Sequence, residues 1–323
     1  MGSTCRRRAA AGAGDRRTVS DLPPPRSATL AVLIPFGIVT LIWGSTWIVI
    51  RDQLGIVPPS WSVTYRFLIG GVAMLAWGAW RGDRLWLDAR GMAFAAALGF
   101  AQFCLNFNFV YRAEEHVTSG LVALMYALLV VPNAVLARVF LGQRMGRQLL
   151  VGSAIALAGV ALLFVHEARV HPEAGPAVLI GLALALAGVL SASVANVMQA
   201  TPIAKRYPMV PVLGTAMLIG AAIDAGYALA TTGAPVFDWR IGYVAGLLYL
   251  GIVASAVAFT LYFGLIRTIG PAKAAYNGVL VPVIAMLLST LFEGYRWSLL
   301  AGAGAALALA GLAVALRARR PNR

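Results

Sequence analysis

Long apolar segments separated by short polar connections make up almost the whole chain. A helix needs about 20 apolar residues to cross the hydrocarbon core of a bilayer, and the hydrophobic pattern predicts ten such spans, of which the fifth is short. Their approximate limits are 30–50, 60–80, 91–111, 117–139, 149–165, 177–199, 210–231, 241–265, 272–292 and 297–316. The pattern therefore predicts an all-α membrane protein with ten transmembrane helices.

Basic residues are concentrated in alternate connections of this predicted topology. The chain has 26 Lys and Arg residues and a formal net charge of +14, a balance that nucleic-acid-binding proteins also show. Most of these residues fall in the two tails and after spans two, four, six and eight, as the positive-inside rule requires of cytoplasmic segments. We therefore predict a multi-pass protein of a plasma membrane, the inner membrane of a bacterium, with both termini cytoplasmic and no nucleic-acid partner.

The two halves of the chain resemble each other. Pro132 aligns with Pro282 and Gly152 with Gly302 at one constant offset. Similar Ala/Leu/Gly composition explains the glycine matches, but not the paired prolines. The predicted organisation is a disordered tail (1–27), a first repeat (28–165), a second repeat (177–316) and a basic tail (317–323). Five spans per repeat give two inverted five-helix repeats, an arrangement typical of carriers that work by alternating access.

Several short motifs resemble the EamA-type carriers of the drug/metabolite transporter superfamily, over about residues 30–316. In the first half they are Leu41–Trp47 (LIWGSTW), Val57–Pro59 (VPP), Tyr65–Leu68 (YRFL), Thr118–Val122 (TSGLV) and Leu141–Arg144 (LGQR). The second copy comprises Gly270–Ala274 (GPAKA), Pro282 and Glu293. Two positions depart from the family pattern: Gln143 replaces the usual Glu, and Glu293-Gly294 inverts the usual order. The resemblance implies ten helices, export of small metabolites, and a cavity lined by spans one, three, four, six, eight and nine.

Polar and aromatic residues within the same spans are the candidates for that cavity, because polar groups in hydrocarbon usually face a bundle interior or a water-filled path. The alternative is that they only tie helices together, a contribution of about 0.6 kcal/mol each. The candidates are Trp43, Ser45, Thr46, Gln102, Asn106, Tyr126, Ser193, Asn196, Tyr262, Tyr276 and Asn277. Neutral, aromatic walls favour an amphipathic or zwitterionic solute, and ring faces also hold cations.

Arg66 and Asp224 are the ionisable residues that the pattern places within spans, at similar depths below the outer face. Equal depth predicts either an Arg66–Asp224 pair or two side chains that reach the outer interface separately. A coupling proton carried by Asp224 is a further hypothesis. Pro132 and Pro282 are predicted to kink spans four and nine, and they are either hinges of opposing gates or static kinks.

Other chemistry finds little support in the sequence. There is no phosphate-binding loop of the Gly-x4-Gly-Lys-Ser/Thr type, and His166, Glu167, His171 and Glu173 are interpreted as a solvated loop rather than a metal site. We predict no metal, no cofactor and no enzymatic activity. The predicted function is secondary transport, with export of a small metabolite, amino acid or amphipathic organic compound. The alternatives are an integral-membrane enzyme acting on lipid, and a channel or non-transporting scaffold.

Overall fold

Helices account for nearly all of the residues that the computed structural model describes, which are 26–142, 146–170, 175–269, 274 and 277–316. No strand occurs among them. The predictions for Gln143, Gly270, Tyr276 and the two tails lie outside the described residues. The long helices are α1 (Arg26–Asp52), α2 (Pro59–Trp80), α3 (Ala89–Glu114), α4 (Ser119–Leu141), α5 (Arg147–Val170), α6 (Gly175–Gln199), α7 (Met209–Thr232), α8 (Ile241–Thr268), α9 (Asn277–Phe292) and α10 (Leu299–Leu316).

Six of these helices are long and apolar enough to cross a membrane, namely α1, α3, α4, α6, α7 and α8. Three others carry shorter apolar stretches: Leu150–Leu162 in α5, Leu280–Phe292 in α9 and Leu299–Gly311 in α10. α2 is long enough, but it contains Arg66, whose charge lowers the mean hydropathy of the helix. The described residues thus contain six candidate spans, where the sequence predicts ten.

Local sequence signals set several of the helix ends. Pro59 occupies the first turn of α2, where a missing backbone N–H costs nothing. The Asp88 side chain caps α3 by accepting a hydrogen bond from the backbone nitrogen of Gly91 at 2.8 Å. α4 ends at Gly142, whose φ of 66° is readily adopted by glycine.

Two helices contain π-helical segments, Gly99–Leu105 in α3 and Tyr249–Val257 in α8. Each segment packs against another helix at a glycine. A Cβ built on Gly99 would lie 2.4 Å from the carbonyl oxygen of Ala216 in α7, and one on Gly251 would lie 2.9 Å from that of Arg66 in α2. The backbones therefore approach more closely here than a larger residue would allow.

The two predicted proline kinks differ in form. α4 is interrupted at Leu128 and Leu129, directly before Pro132, because a proline ring clashes with the carbonyl four residues earlier and cannot donate a hydrogen bond. α9 contains Pro282 and is nevertheless assigned as one continuous helix.

Contacts between helices follow a regular scheme. α2 packs on α7, α4 on α9, and α5 on α10. α3 packs on α6 and α7, whereas α8 packs on α1 and α2. α1 also contacts α9, and α6 contacts α4.

Small residues bring α5 and α10 together. A Cβ built on Gly159 would lie 2.3 Å from the backbone nitrogen of Ala308, and one on Gly311 would lie 2.3 Å from that of Ala156. In each helix the glycine lies three residues after the alanine that its partner glycine contacts, so the contact is reciprocal. Neither helix contributes a described residue to the cavity considered below, as expected for two closely packed Ala/Gly/Leu helices.

Candidate functional site

A cavity lies between helices from both halves of the chain. Its walls come from α1, α3, α4, α6, α8 and α9, and also from α2 through Arg66. The first six are the helices that the family resemblance implies. Concave, mainly apolar sites with a few polar groups are typical of small-molecule binding.

Most of the predicted cavity residues are in this wall. Those of the first half come from α1, α3 and α4, and those of the second half from α6, α8 and α9. They are Trp43, Thr46, Gln102, Asn106, Tyr126, Asn196, Tyr262 and Asn277. Pro282 also lines the cavity, whereas Pro132 does not belong to the wall.

Ser45 and Ser193, also predicted as lining residues, are not in the wall of this cavity. The Ser45 hydroxyl lies 2.7 Å from that of Tyr249 and bonds to carbonyls of its own helix, so it faces α8. On α6 the residues that reach the cavity are Ala192 and Asn196, four positions apart. Ser193 is fully buried on the neighbouring face of that helix.

Aromatic rings form two groups in the wall. The ring of Trp43 lies 4.7 Å from that of Tyr262 and 5.3 Å from that of Phe259, measured between centroids. The ring centroid of Trp47 lies 5.1 Å from that of Tyr126. Such tilted and edge-on contacts are favourable beyond the area they bury. Because the partners come from different helices, the rings position α1 against α4 and α8.

Amide side chains provide the polar part of the wall. Tyr126 donates a hydrogen bond to Asn106, and Thr40 donates one to Asn277. The side-chain nitrogen of Asn277 then has no hydrogen-bond partner. Within the described part of the chain, the side chain of Asn196 makes no hydrogen bond at all. These groups leave donors and acceptors free for a solute.

Arg66 is fully buried, and it is the one charged residue of the cavity wall among the residues that the structure describes. Its Nε donates to the hydroxyl of Ser255 at 3.0 Å. Its guanidinium lies 4.3 Å from the ring centroid of Phe107 and 5.2 Å from that of Phe67. Nη1 has no hydrogen-bond partner.

Asp224 is also fully buried, at a different place. Its Oδ1 accepts a hydrogen bond of 2.6 Å from Asn108. The side-chain oxygen Oδ1 of Asn108 accepts one of 2.9 Å from the hydroxyl of Ser60, and that hydroxyl accepts one of 3.0 Å from Arg112. Arg66 and Asp224 therefore do not pair with each other in this structure, and both side chains are fully buried. Two residues at the same depth in a membrane can still point to different sides of their helices, so equal depth does not predict a contact.

A polar cluster at four helix ends was not anticipated from the sequence. Ser119 at the start of α4 donates to Glu293 at 2.7 Å, and Arg51 at the end of α1 lies 3.8 Å from the same carboxylate. Arg51 also donates to the backbone carbonyl of Glu114 at the end of α3. The Glu114 carboxylate is fully buried without a hydrogen bond. Its position beside Glu115 and His116 resembled a surface segment, so no sequence signal marked it.

His166 also departs from its predicted place. It lies within α5 and is buried, and its Nδ1 is 2.9 Å from the hydroxyl of Ser298. The helix continues past the apolar run that marked the fifth span, which is why the sequence indicated a loop. Among the described residues no group of His, Cys, Asp and Glu could hold a metal ion.

Comparison with known proteins decides the family. The model of the EamA-like transporter family matches residues 30–165 and again residues 179–317. The chain belongs to the EamA-like transporter family. Together with the candidate spans, this makes it a multi-pass membrane protein.

Individual relatives cover most of the chain. It is 29% identical to the uncharacterized inner membrane transporter YedA of Escherichia coli K12 over 79% of its length and 80% of that protein. Protein PagO of Salmonella typhimurium is 23% identical over 83% of the chain and 87% of its own length. A probable terminal-alkyne amino-acid exporter of Streptantibioticus cattleyicolor is 27% identical over 70% of the chain and 72% of its own length.

A solved crystal structure also matches this EamA-like chain. It covers 89% of the chain and 96% of its own, with a TM-score of 0.65 at 22% identity. At that identity the likeness shows the fold alone. It agrees with the all-helical architecture described above.

Proposed function

We propose that the chain is a secondary transporter that exports a small metabolite, amino acid or amphipathic organic compound by alternating access. The observation that carries the proposal is the cavity, whose walls come from both halves of the chain and combine aromatic rings with amide groups. A solute bound there would contact both halves at once. The relative named as a probable amino-acid exporter supports the class of solute.

We further propose ten transmembrane helices in two inverted repeats, 28–165 and 177–316. The family model matches the chain twice over nearly these ranges. The contacts between helices are also unchanged when each helix of the first half is exchanged with the helix five places later. The contact of α3 with α6 then becomes the contact of α8 with α1, which is also observed, and the contact of α2 with α7 stays the same.

Close contacts at single residues also occur in pairs that are related by exchanging α2 with α7. A Cβ on Gly71 would lie 2.8 Å from the side chain of Leu218, and one on Gly214 would lie 2.7 Å from that of Leu75. The reciprocal contact of α5 with α10 is a second instance. Two halves related in this way can open a shared site first to one side of the membrane and then to the other.

Transport is tested with the purified full-length protein in proteoliposomes. Thermal stabilisation by a panel of amino acids, amines, sugars and nucleosides identifies a ligand, and its counterflow is then measured. We expect a saturable ligand whose counterflow is lost in Trp43→Ala and in Asn196→Ala. Trp86→Ala is the matched control, because Trp86 is 87% exposed and outside the cavity wall. Equal loss in all three variants, or no counterflow of any solute, would contradict the proposal.

Coupling to a proton through Asp224 is a separate part of the proposal. This carboxylate is fully buried, and its Oδ2 has no hydrogen-bond partner. Buried ionisable groups within spans commonly belong to proton relays. Asp224→Asn should abolish uptake driven by a pH gradient and leave counterflow intact. Survival of both activities would exclude Asp224 from coupling.

A further inference from the structure

We propose that Arg66 binds a carboxylate of the transported solute, so that the substrate is an organic monocarboxylate, either an amino acid or a simple monoanion. This inference rests on the proposed transport function and adds to it the chemical group that the cavity recognises. It follows from the charge, the hydrogen bonds and the surroundings of Arg66.

The positive charge of Arg66 has no counter-ion in the described part of the chain. Asp224, its partner in one of the two arrangements that the sequence left open, is bonded to Asn108. Tyr111, a phenol, acts on Arg66 more strongly than Glu114 does, and Glu114 is not within ion-pair distance. Burying an unpaired charge is costly, and a residue that lines a cavity without a partner is placed for one that arrives with the solute.

Hydrogen bonding leaves Nη1 of the buried guanidinium without a partner. Nε is occupied by Ser255 at 3.0 Å, and Phe107 covers a face of the group at 4.3 Å. A carboxylate matches the remaining N–H donors of a guanidinium well, because both groups are planar and can form parallel hydrogen bonds. The stacked Phe107 and the bond to Ser255 hold the guanidinium in place, so little side-chain freedom is lost on binding.

The rest of the wall limits the substrate to one negative charge. Among the described lining residues no second cation accompanies Arg66, so a phosphate ester or a dicarboxylate would bring charge that the cavity does not neutralise. The rings of Trp43, Trp47 and Tyr262 are suited to an apolar group, and their faces also attract an ammonium group. An amino acid with an apolar side chain satisfies all of these surfaces together.

Matched probes test the assignment in the unaltered protein. The probes are L-leucine with L-leucinamide, L-phenylalanine with L-phenylalaninamide, and 3-phenylpropionate with 3-phenylpropionamide. Each pair differs by the carboxylate and keeps the apolar group. We expect thermal stabilisation and inhibition of counterflow by the carboxylate member of at least one pair, and at least a tenfold weaker effect of its partner. Equal effects within every pair would overturn the assignment.

Variants then connect this selectivity to Arg66. Arg66→Gln should weaken binding of the carboxylate probe about tenfold or more and reduce its preference over the amide, because a hydrogen-bonded charge is lost. Arg66→Lys should retain part of the affinity, because the charge remains while the planar fork is lost. Arg240→Gln is the matched control, since Arg240 pairs with Asp238 away from the cavity wall and should keep the preference.

The outcomes separate this inference from the proposed function. Counterflow restricted to solutes without a carboxylate would overturn the role of Arg66 and leave the carrier proposal standing. An unchanged preference in Arg66→Gln would do the same. Absence of counterflow for every solute would remove both. Where Arg66→Gln fails to fold, the comparison of probes in the unaltered protein and the Arg66→Lys variant still decide the question.

Discussion

Asn108 links two helices through a buried carboxylate, and its role could not be read from its position in the chain. Gln102, Asn106 and Asn108 are all polar residues of the one predicted span 91–111. In the structure Gln102 and Asn106 line the cavity, whereas Asn108 donates to Asp224 in α7 and accepts from Ser60 in α2. Residue type thus predicted that these groups lie inside the protein, but the partner depends on which helices pack against α3.

Replacing Asn108 should destabilise the fold more than an ordinary surface change. Asn108→Leu leaves the Asp224 carboxylate buried without its donor, and losing a hydrogen bond to a charged group costs about 1.5–3 kcal/mol. Thermal unfolding of the purified protein in detergent measures the effect. Asn133→Leu is the control, because the Asn133 side-chain oxygen has no hydrogen-bond partner. Equal losses in the two variants would show that the Asp224 contact contributes nothing.

A tyrosine–aspartate contact outside the spans should make stability depend on pH. Tyr207 donates a hydrogen bond of 2.6 Å to Asp88. This bond is the largest cause of a lowered pKa of the Asp88 carboxyl, and the hydrogen bond from the backbone of Gly91 is the second. The charges of Arg90 and Arg206 also lower this pKa. Because the folded pKa is below the unfolded value of about 3.9, the stabilisation is present above that value. It is lost as the pH falls through the folded pKa.

Tyr207→Phe should therefore lower the melting temperature near neutral pH, with a difference from the unaltered protein that shrinks between about pH 5 and pH 3. Melting curves in detergent across this range measure it. Tyr65→Phe removes a hydroxyl that donates to the backbone carbonyl of Val236 at 3.0 Å, so its effect should not change with pH. A constant difference for Tyr207→Phe would refute the linkage to Asp88.

At the scale of helices, the apolar pattern located the elements well but not their ends. The predicted span 210–231 corresponds to α7 (Met209–Thr232), whereas the predicted span 149–165 corresponds to the longer α5 (Arg147–Val170). Hydropathy detects the part of a helix that lipid would cover, and α5 continues through His166 into polar residues. The π-helical segments of α3 and α8 carry no signal of this kind, because they depend on packing against a second helix.

The close packing of α5 and α10 predicts opposite effects for two glycines of one helix. Gly311→Ala places a Cβ 2.3 Å from the backbone nitrogen of Ala156 and should destabilise the protein by about 1–3 kcal/mol. Gly302→Ala meets nothing within 4 Å and should leave stability unchanged or slightly raised. Melting temperatures of the two variants test this, and a similar decrease in both would argue against a specific contact.

The interruption of α4 predicts an effect on rate rather than on binding. We propose that Pro132 and Pro282 act as hinges, with the break at Leu128 and Leu129 as the observation that supports it for α4. Pro132→Ala should slow counterflow while thermal stabilisation by the ligand persists. Pro35→Ala, also within a helix but outside the cavity wall, is the control. Unchanged counterflow in Pro132→Ala would identify a static kink.

The whole molecule raises the question of orientation, for which the charge pattern gives a definite prediction. Gly82 and Gly233 form turns with φ of 76° and 84° after α2 and α7, which are corresponding helices of the proposed repeats. Green fluorescent protein and alkaline phosphatase inserted at these two positions of the full chain report their side of the membrane. We expect fluorescence at Gly82 and phosphatase activity at Gly233.

A third reporter at the C-terminus should fluoresce, since both ends are predicted to be cytoplasmic. The same answer at Gly82 and Gly233 would exclude inverted repeats. Reversed answers at all three sites would retain the repeats and reverse the orientation. The arrangement of charges predicts this topology from the sequence, whereas the direction in which Arg66 faces depends on how α3 and α8 pack against α2.

A change of the π-helical segments into α-helix would reorient part of the bundle. A π-helix forms its hydrogen bonds five residues apart rather than four, and one residue of an α-helix corresponds to a rotation of about 100°. If Gly99–Leu105 were to tighten into α-helix, the half of α3 beyond it would turn about its own axis and carry Phe107 away from the guanidinium of Arg66. Tyr249–Val257 would turn the other half of α8 in the same manner. Changing one hydrogen-bond register in each helix would thus exchange the side chains presented to a solute without changing the path of either helix through the bilayer.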